Sequence, residues 1–552
     1  MATSFVLALA QVNPRVGDIA ANLALVRAAR AQAAAARADL LLLPELVLSG
    51  YPPEDLVLKP AFLAACREAL EALAADTADG GPGLVVGAPW LEGGKRYNAV
   101  CVLDGGKIAT RRFKHHLPNY GVFDEKRVFD AGPLPGPVNF RGVRLGLMVC
   151  EDMWFADVAE CLVESGAEIL VVPNGSPFET DKLDRRLQLA LARSAETELP
   201  LVYLNQVGGQ DELVFDGASF VLNADRSLPV QMPQFAEAVV ATSWTRDARG
   251  NLVCAPAAQA VPLAPLGAIY GALTLGLRDY VEKNRFNGVI LGLSGGIDSA
   301  LTAALAVDAL GPARVRAVMM PSRYTSRDSL EDAAACAALL GVKLDNIPIE
   351  PAVAAFGAML APFFAGTQPD ITEENLQSRA RGLTLMALSN KFGHMVVSTG
   401  NKSEMSAGYA TLYGDMCGGF AVLKDVYKTA VFALCRWRNE NRLETALGPA
   451  GPVMPARVIE KPPTAELRDG QTDEASLGPY SELDAILAEL VEGEADVAAI
   501  VAKGHREADV RRIWRMLDLS EYKRRQAPPG VKITSRAFGR ERRYPITNGF
   551  RG

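Results

Sequence analysis

The sequence has few of the residues that build metal centres, disulfide frameworks, membrane spans or nucleic-acid surfaces. It contains four histidines, so a histidine-rich metal site is not expected. Its eight cysteines are scattered without C-x-x-C spacing, which favours free thiols in a reducing cytoplasm. A net charge of −7 argues against a broad nucleic-acid surface. No apolar run reaches the length of a membrane span, and residues 5–9 predict a first strand rather than part of a signal peptide.

The chain is long enough for two large domains, and its pattern predicts an α/β protein. With 552 residues, 49% hydrophobic and 22% charged, it exceeds the length of one typical domain. Short apolar runs alternate with alanine- and leucine-rich helical segments in both halves. Between the halves, residues 256–265 carry three prolines and no charge, which is typical of a linker. We therefore predict domains at residues 1–250 and 269–552, joined by a linker at 251–268.

The most informative segment is Ser-Gly-Gly-Ile-Asp-Ser at residues 294–299. An apolar run precedes it and an alanine-rich run follows it, so we expect a strand, a glycine loop and a helix in that order. Two adjacent glycines let backbone N–H groups turn toward one point, and a helix N-terminus adds its positive dipole end. Such a loop binds phosphate, with Ser294 and Ser299 as hydroxyl donors and Asp298 as a carboxylate for Mg²⁺.

This loop lacks the spacing and the lysine of the Walker phosphate loop. It resembles the pyrophosphate loop of ATP-pyrophosphatases, enzymes that split ATP between its α- and β-phosphates and leave AMP on a substrate oxygen. The resemblance implies that the second half uses ATP and has a Rossmann-like parallel sheet.

In the first half, candidate catalytic residues follow predicted strands. Glu45 follows the apolar run at 40–43, and Cys150 follows the run at 145–149. A thiol needs a base to become a nucleophilic thiolate, and a tetrahedral oxyanion needs a positive donor. Glu45 can supply the base and Lys114 the donor. Taken singly, each residue is more readily explained as a core thiol, a helix cap or a surface charge.

The segments that carry these three residues, in this order, resemble the Glu-Lys-Cys triad of the nitrilase (carbon–nitrogen hydrolase) family over about residues 1–250. The resemblance implies a nitrilase-like α-β-β-α sandwich with Glu45 as general base, Lys114 as oxyanion stabiliser and Cys150 as nucleophile. Glu125 matches a second glutamate that supports the site. Family members that use glutamine resemble this chain at the residues expected to bind that amino acid: Tyr120, Ser176 and Lys182.

Further segments of the second half, from about 270 to 530, resemble NAD synthetases. They include Asn375 ahead of a predicted helix, the polar run at 398–404 after a predicted strand, and the Tyr-Gly-Asp triplet at 413–415. The resemblance implies that deamido-NAD contacts Asn375, Glu404 and Lys523, and that Asp298 and Glu404 hold a metal ion. It assigns the ATP site to Gly292, Leu293, Ser294, Gly295, Gly296, Ile297, Asp298, Ser299 and Thr399.

The two halves in this order resemble glutamine-dependent NAD synthetases over nearly the whole chain. The resemblance implies a ligase in which the first domain hydrolyses L-glutamine to glutamate and ammonia. In the second domain, deamido-NAD would react with ATP to an NAD-adenylate, and ammonia would displace AMP to give NAD. We hypothesise a closed passage for the ammonia, because ammonium is not nucleophilic and an adenylate hydrolyses in open water. We expect Mg²⁺ with ATP and a homo-oligomer in the cytoplasm. We expect no prosthetic group and no nucleic-acid or membrane partner.

Two other functions stay open on the sequence alone. One is an amidotransferase of the same two-part design that acts on another carboxylate or carbonyl; competition by deamido-NAD would discriminate it. The other is a plain amidase whose second half senses ATP without ligase turnover. The intact loop at 294–299 argues against a mere sensor. Absence of AMP formation would favour the sensor over a ligase.

Overall fold

The computed structural model describes residues 4–550, which cluster into two compact units. The first unit comprises the chain up to residue 210 together with residues 214–264, and the second comprises residues 211–213 and the chain from Pro265 onward. The predicted linker at 251–268 therefore contains one strand of the first unit, at 252–254, and the first residues of a helix that begins at Pro265. Within residues 4–550, no helix is long and apolar enough to cross a membrane.

The first unit consists of strands with four helices between them. Its helices are α1 (Ile19–Ala35), α2 (Pro60–Asp76), α3 (Ala156–Glu164) and α4 (Lys182–Thr197). Its strands are β1 (Phe5–Gln11), β2 (Leu40–Leu42), β3 (Gly83–Glu92), β4 (Lys95–Asp104), β5 (Lys107–Phe113), β6 (Val138–Phe140), β7 (Val143–Leu147), β8 (Ile169–Asn174), β9 (Leu201–Asn205), β10 (Val207–Gln210), β11 (Leu213–Asp216), β12 (Phe220–Leu222), β13 (Val230–Gln231), β14 (Ala238–Arg246) and β15 (Leu252–Cys254).

Two sheets form the middle of this unit. One has the order β15-β14-β1-β2-β3-β4-β5 and the other β13-β12-β9-β8-β7-β6. Successive residues of a strand point to opposite faces, so β1 places Leu7 and Leu9 in the core between the sheets and Ala8 and Ala10 against α1 and α2. The outer face of the second sheet packs on α3 and α4 through a third core. The unit is thus the α-β-β-α sandwich that the family resemblance implies.

The second unit has one parallel sheet surrounded by helices. Its strands are β16 (Val289–Gly292), β17 (Val315–Met319), β18 (Lys343–Asn346), β19 (Met395–Ser398) and β20 (Phe420–Ala421). Its helices are α5 (Pro265–Lys283), α6 (Ile297–Leu310), α7 (Arg327–Leu340), α8 (Glu350–Leu360), α9 (Ile371–Phe392), α10 (Lys402–Ala407), α11 (Lys428–Glu440), α12 (Ala456–Glu460), α13 (Asp473–Leu477), α14 (Tyr480–Val491), α15 (Val497–Ala502), α16 (Glu507–Leu519) and α17 (Glu521–Arg524).

The strand order of this sheet, β18-β17-β16-β19-β20, reverses direction between β16 and β19. All of its strand pairs are parallel, which confirms the predicted Rossmann-like sheet. In such sheets the crevice beyond the carboxyl ends of the two strands at the reversal is where ligands bind. The glycine loop follows β16 and Thr399 follows β19, so the topology brings both predicted ATP-binding segments to this crevice.

One local expectation was wrong. Asn375, expected ahead of a helix, lies inside α9, which begins at Ile371. The helix starts early because Asp370 accepts a hydrogen bond from the Thr372 N–H while the Glu373 side chain accepts one from the Asp370 N–H. This reciprocal capping satisfies N–H groups that would otherwise have no partner at the helix start.

Candidate active sites

In the first unit, the three predicted catalytic residues each lie just beyond a strand. Glu45 follows β2, Lys114 follows β5 directly, and Cys150 follows β7. The Lys114 Nζ donates to Glu45 Oε1 at 2.8 Å and to Glu125 Oε1 at 2.9 Å, and the Lys114 and Glu45 side chains are fully buried. The fold therefore brings together a lysine and two carboxylates that lie 69 and 11 residues from it in the sequence.

Further donors hold the two carboxylates in place. The Asn98 side chain donates to Glu45 Oε1 at 2.6 Å, and the Gly175 N–H donates to Glu45 Oε2 at 2.8 Å. The Tyr51 hydroxyl donates to Glu125 Oε1 at 2.8 Å. The second oxygen of Glu125 is buried and has no hydrogen-bond partner within residues 4–550. It is an acceptor that an amide N–H of a substrate could satisfy.

Asp152 connects the nucleophile turn to the lysine segment. Its carboxylate accepts hydrogen bonds from the Val149 N–H at 2.9 Å, and from the N–H groups of His115 at 3.0 Å and His116 at 2.8 Å. Cys150 itself has φ of +48°, a strained backbone conformation for a residue other than glycine. Asp152 thus stabilises a tight turn that presents Cys150 and fixes the backbone next to Lys114.

Burial and neighbouring charges set the protonation states here. Burial raises the pKa of the Cys150 thiol well above its usual value, and the charge of Glu45 raises it further, against the opposing effect of Lys114. Burial alone would lower the pKa of Lys114, but the carboxylates of Glu125 and Glu45 outweigh it and the pKa stands well above the ordinary value. The site therefore holds a neutral thiol beside a charged lysine.

The residues predicted to bind glutamine surround this group. The Tyr120 hydroxyl donates to Glu151, the buried neighbour of Cys150, at 3.0 Å. Burial raises the pKa of Glu151, and the charge of Lys182 partly opposes this increase. Ser176 follows the Gly175 that binds Glu45, and its hydroxyl accepts from the Arg186 guanidinium at 3.1 Å. Glu151 adds a negative charge that the sequence analysis did not assign.

In the second unit, a cavity of about 600 Å³ opens at the reversal of the sheet. Nearly all predicted ligand contacts of this half line it, including Asn375, Thr399, Glu404 and Lys523. Among the predicted loop residues, Gly295 is the exception. A Cβ at Gly295 would lie 2.3 Å from the Ser329 carbonyl oxygen, and its φ is +80°. Glycine is therefore required at this position for both space and backbone conformation.

The loop before α6 has the geometry of an anion site. The hydroxyls of Ser294 and Ser299 lie 3.1 Å apart, and the Gly296 N–H donates to Ser294 Oγ at 3.2 Å. No side chain of residues 4–550 caps the start of α6, whose first residue is Ile297. A phosphate there would meet backbone N–H groups, hydroxyls and the positive end of the helix dipole.

The two predicted metal ligands share a lysine. Asp298 accepts from the Asn401 side chain at 2.8 Å and pairs with Lys428, whose Nζ lies 3.5 Å from Glu404 Oε1. Burial and the charge of Asp298 raise the pKa of Glu404, against the effect of Lys428. Carboxylates grouped about one cation beside a phosphate site are a donor set that suits a hard divalent ion. Lys428 was missed in the sequence, because nothing local distinguishes it from a surface lysine.

The remaining predicted contacts are held by backbone and side-chain hydrogen bonds. Lys523 donates to the carbonyl oxygens of Gly408 and Ala410, each at 2.7 Å, and burial lowers its pKa. Asn375 accepts from the Thr411 hydroxyl at 2.9 Å. Both residues thus lie in the cavity wall.

Glu466 is a further residue of the cavity wall. Its Oε1 accepts from the Ser326 hydroxyl at 2.7 Å and from the Ser329 hydroxyl at 2.9 Å. These bonds hold the 462–467 segment against α7, where it forms part of the cavity wall.

Comparison with known proteins supports this division of the sites. The carbon-nitrogen hydrolase family model matches residues 6–250, and the NAD synthase family model matches residues 269–527. The chain is 53% identical to the glutamine-dependent NAD(+) synthetase of Rhodobacter capsulatus over the whole of both proteins. It is 49% identical to that of Xanthomonas campestris pv. campestris, over 99% of this chain and 98% of the relative.

Solved structures agree over the full length. A glutamine-dependent NAD+ synthetase from Acinetobacter baumannii, in complex with ADP, is similar with a TM-score of 0.79 and 44% identity over 99% of each chain. One from Cytophaga hutchinsonii has a TM-score of 0.83 at 22% identity, over 99% of this chain and 98% of that one, and shows the shared fold. By its sequence identity to these relatives over its whole length, the chain belongs to the glutamine-dependent NAD(+) synthetase family.

Proposed function

We propose that this chain makes NAD and glutamate from deamido-NAD, ATP, L-glutamine and water, releasing AMP and pyrophosphate. The observation that carries the proposal is that one chain holds two different sites, the buried Glu45–Lys114–Cys150 group and the cavity lined by the loop at 292–299. The first is suited to breaking a carbon–nitrogen bond, and the second to phosphoryl chemistry. Family membership supports the same pairing.

In the first step, Glu45 takes the proton of the Cys150 thiol and the thiolate attacks the amide carbon of glutamine. A carbon–sulfur bond forms, and the electrons of the carbonyl π bond move to its oxygen. Lys114 donates a hydrogen bond to this oxyanion, which its fixed position and charge favour. The intermediate collapses, the carbon–nitrogen bond breaks, and ammonia leaves with the proton from Glu45.

The resulting thioester is hydrolysed with the same residues. Glu45 removes a proton from water as the oxygen attacks the thioester carbon, and the carbon–sulfur bond breaks. Glutamate leaves, and Cys150 regains its proton from Glu45. Glu125 supports the site through Lys114, with which it shares a hydrogen bond of 2.9 Å.

The charges around Cys150 complement a free amino acid. Lys182 opposes the α-carboxylate of glutamine, while Tyr120 and Ser176 contact its head group. The carboxylate of Glu151, hydrogen-bonded to Tyr120, is suited to the α-ammonium group.

In the second unit, the nicotinate carboxylate of deamido-NAD attacks the α-phosphorus of ATP and pyrophosphate leaves. The loop at 292–299 and Thr399 hold the phosphates, and Asn375, Glu404 and Lys523 position the dinucleotide. Ammonia from the first site attacks the carbonyl carbon of the NAD-adenylate, and AMP leaves as the amide forms. These steps depend on position and charge, with no covalent bond to the protein.

Asp298 and Glu404 are the residues that would hold Mg²⁺. When bound, the ion would neutralise phosphate charge. Lys428 would add a second positive charge to the site. A cytoplasmic location and assembly into homo-oligomers stay predictions, and light scattering on the purified chain tests the second.

The test compares the native chain with Cys150→Ala, each supplied with deamido-NAD, ATP and Mg²⁺ and with either glutamine or ammonium. We expect NAD and AMP in equal amounts from the native chain with both nitrogen sources, and from Cys150→Ala with ammonium only. Cys161→Ala is the matched control, because it removes a thiol of the same unit and should keep both activities. Glutamine hydrolysis without AMP formation would contradict the ligase assignment.

A further inference from the structure

Two of the four histidines are neighbours in sequence and share a cluster with one aspartate. One ligand atom from each of His115, His116 and Asp157 lies within 4.8 Å of the other two. It is the one group of three or more such side chains found within residues 4–550. Imidazole nitrogens together with a carboxylate form a donor set typical of zinc and related transition metals rather than of Mg²⁺.

The backbone and one ring are already fixed for this role. The N–H groups of both histidines donate to Asp152, so the segment is held before any ion arrives. The His115 Nδ1 lies 2.7 Å from the Gly132 carbonyl oxygen, to which it donates its proton, since that oxygen can only accept. In the neutral ring Nε2 therefore keeps its lone pair. Metal-ligating histidines commonly have this arrangement, in which the other nitrogen donates to a carbonyl.

The second ring is already paired with the third ligand. His116 Nε2 lies 2.9 Å and 3.1 Å from the two oxygens of Asp157. The His116 ring stacks on Phe155 at 4.0 Å between centroids, which limits its rotation. An ion that replaces the Nε2 proton would bind the nitrogen and a carboxylate oxygen with bonds of about 2.0–2.2 Å. Because Asp157 is exposed on the first turn of α3, its side chain can make the adjustment of about 1 Å that this requires.

We propose that His115, His116 and Asp157 form a binding site for a divalent transition-metal ion of the zinc class, with water in the remaining position. The site differs in chemistry from the oxygen donors Asp298 and Glu404 of the second unit. It lies directly after Lys114 in the chain and shares Asp152 with the Cys150 turn. An ion here would join the lysine segment to α3.

The experiment is equilibrium dialysis of the untagged full-length protein, stripped of metal, against ZnCl₂ without nucleotide. We expect the native protein to bind one Zn²⁺ per chain. In His116→Asn and in Asp157→Asn, we expect Zn²⁺ to bind at least tenfold more weakly. His505→Asn is the matched control, because it removes a histidine paired with a single carboxylate, Glu482 at 2.8 Å. It should leave Zn²⁺ binding unchanged.

Glutamine hydrolysis measured in EDTA confirms that each variant is folded. If His116→Asn does not fold, Zn²⁺ binding by Asp157→Asn alone tests the proposal, because Asp157 is exposed. Co²⁺ absorption distinguishes nitrogen and oxygen ligands from thiolates. Unchanged Zn²⁺ binding in a folded variant would overturn the proposal. So would a thiolate band that disappears in Cys150→Ala, because the ion would then belong to the nucleophile.

Discussion

The two active sites differ in how they accommodate charge. In the first unit, Lys114 and Glu45 are fully buried and pair with each other. In the second, the side chains of Asp298 and Glu404 are 17% and 18% exposed. They contact the buried Lys428 beside a cavity of about 600 Å³. Each site has one lysine between two carboxylates, but the first is closed, whereas the second lies next to open space.

The difference follows from the chemistry that each site performs. Attack on an amide needs a few side chains that carry protons at fixed positions in a water-poor site. Adenylation needs room for a dinucleotide and for ATP, with many donors aimed at phosphate.

The largest effect is expected from Lys114→Met. It leaves Glu45 and Glu125 buried without their shared cation, so the first unit should lose about 3–5 kcal/mol of unfolding free energy. Glutamine hydrolysis should fall by at least about 10³-fold, because the oxyanion loses its donor. Glutamate release and urea unfolding measure both. Hydrolysis within tenfold of the native rate would show that another group stabilises the oxyanion.

The matched change in the second unit is Lys428→Met. We expect ammonium-driven NAD formation to fall by about 10²-fold, since a positive charge in the wall of the ATP cavity is lost. The unfolding free energy should fall less than in Lys114→Met, because the partly exposed carboxylates can regain water. Glutamine hydrolysis by this variant, measured without ATP and deamido-NAD, should stay within twofold of the native rate. An equal loss of stability in both variants would remove the contrast between the sites.

Gly295→Ala tests the backbone of the ATP loop and should have a smaller effect. Alanine at a φ of +80° is strained, and its Cβ would overlap the Ser329 carbonyl, so the loop must shift. We expect kcat/KM for ATP to fall about tenfold or more. Gly296→Ala is the control, because its φ of −85° suits alanine and its Cβ would meet only Ser294 Oγ at 3.3 Å. Equal losses would mean that the loop tolerates no side chain at either position.

The sequence predicted what short patterns determine. In the second unit the loop, its strand and its helix formed where expected, and the parallel sheet was confirmed. The start of α9 was misplaced although Asp370 and Glu373 have the spacing of a capping box, so that signal was readable. Lys428 could not be found, because its partner Asp298 is 130 residues away and no periodicity links them.

In the first unit, each triad residue alone was more readily explained as structural, and only the family resemblance joined them. The hydrogen bond between Lys114 and Glu45 spans 69 residues, a separation that local pattern cannot bridge. Asn98 and the roles of Asp152 and Glu151 went unrecognised for the same reason. A histidine site was not expected from four histidines, yet the fold brings Asp157 to His116 across 41 residues.

A further prediction concerns the protonation of Cys150. Burial and the charge of Glu45 raise the pKa of this thiol, so the protonated form dominates at neutral pH. Below that pKa the thiolate fraction grows tenfold with each pH unit, so alkylation by iodoacetamide without glutamine should accelerate about tenfold per unit from pH 6.5 to 8.5. Mass spectrometry of the Cys150 peptide measures the rate.

Glu45→Gln separates the charge of this residue from its role as a base. The substitution keeps the shape of the side chain and leaves Lys114 paired with Glu125. Removing the negative charge lowers the pKa of Cys150, so the thiolate fraction at a given pH increases and alkylation should become a few-fold faster while glutamine hydrolysis is lost. Slower alkylation at every pH would mean that Glu45 also deprotonates the thiol for this reagent. The charges of the closed site would then matter less for the reactivity of Cys150 than the proton transfer itself.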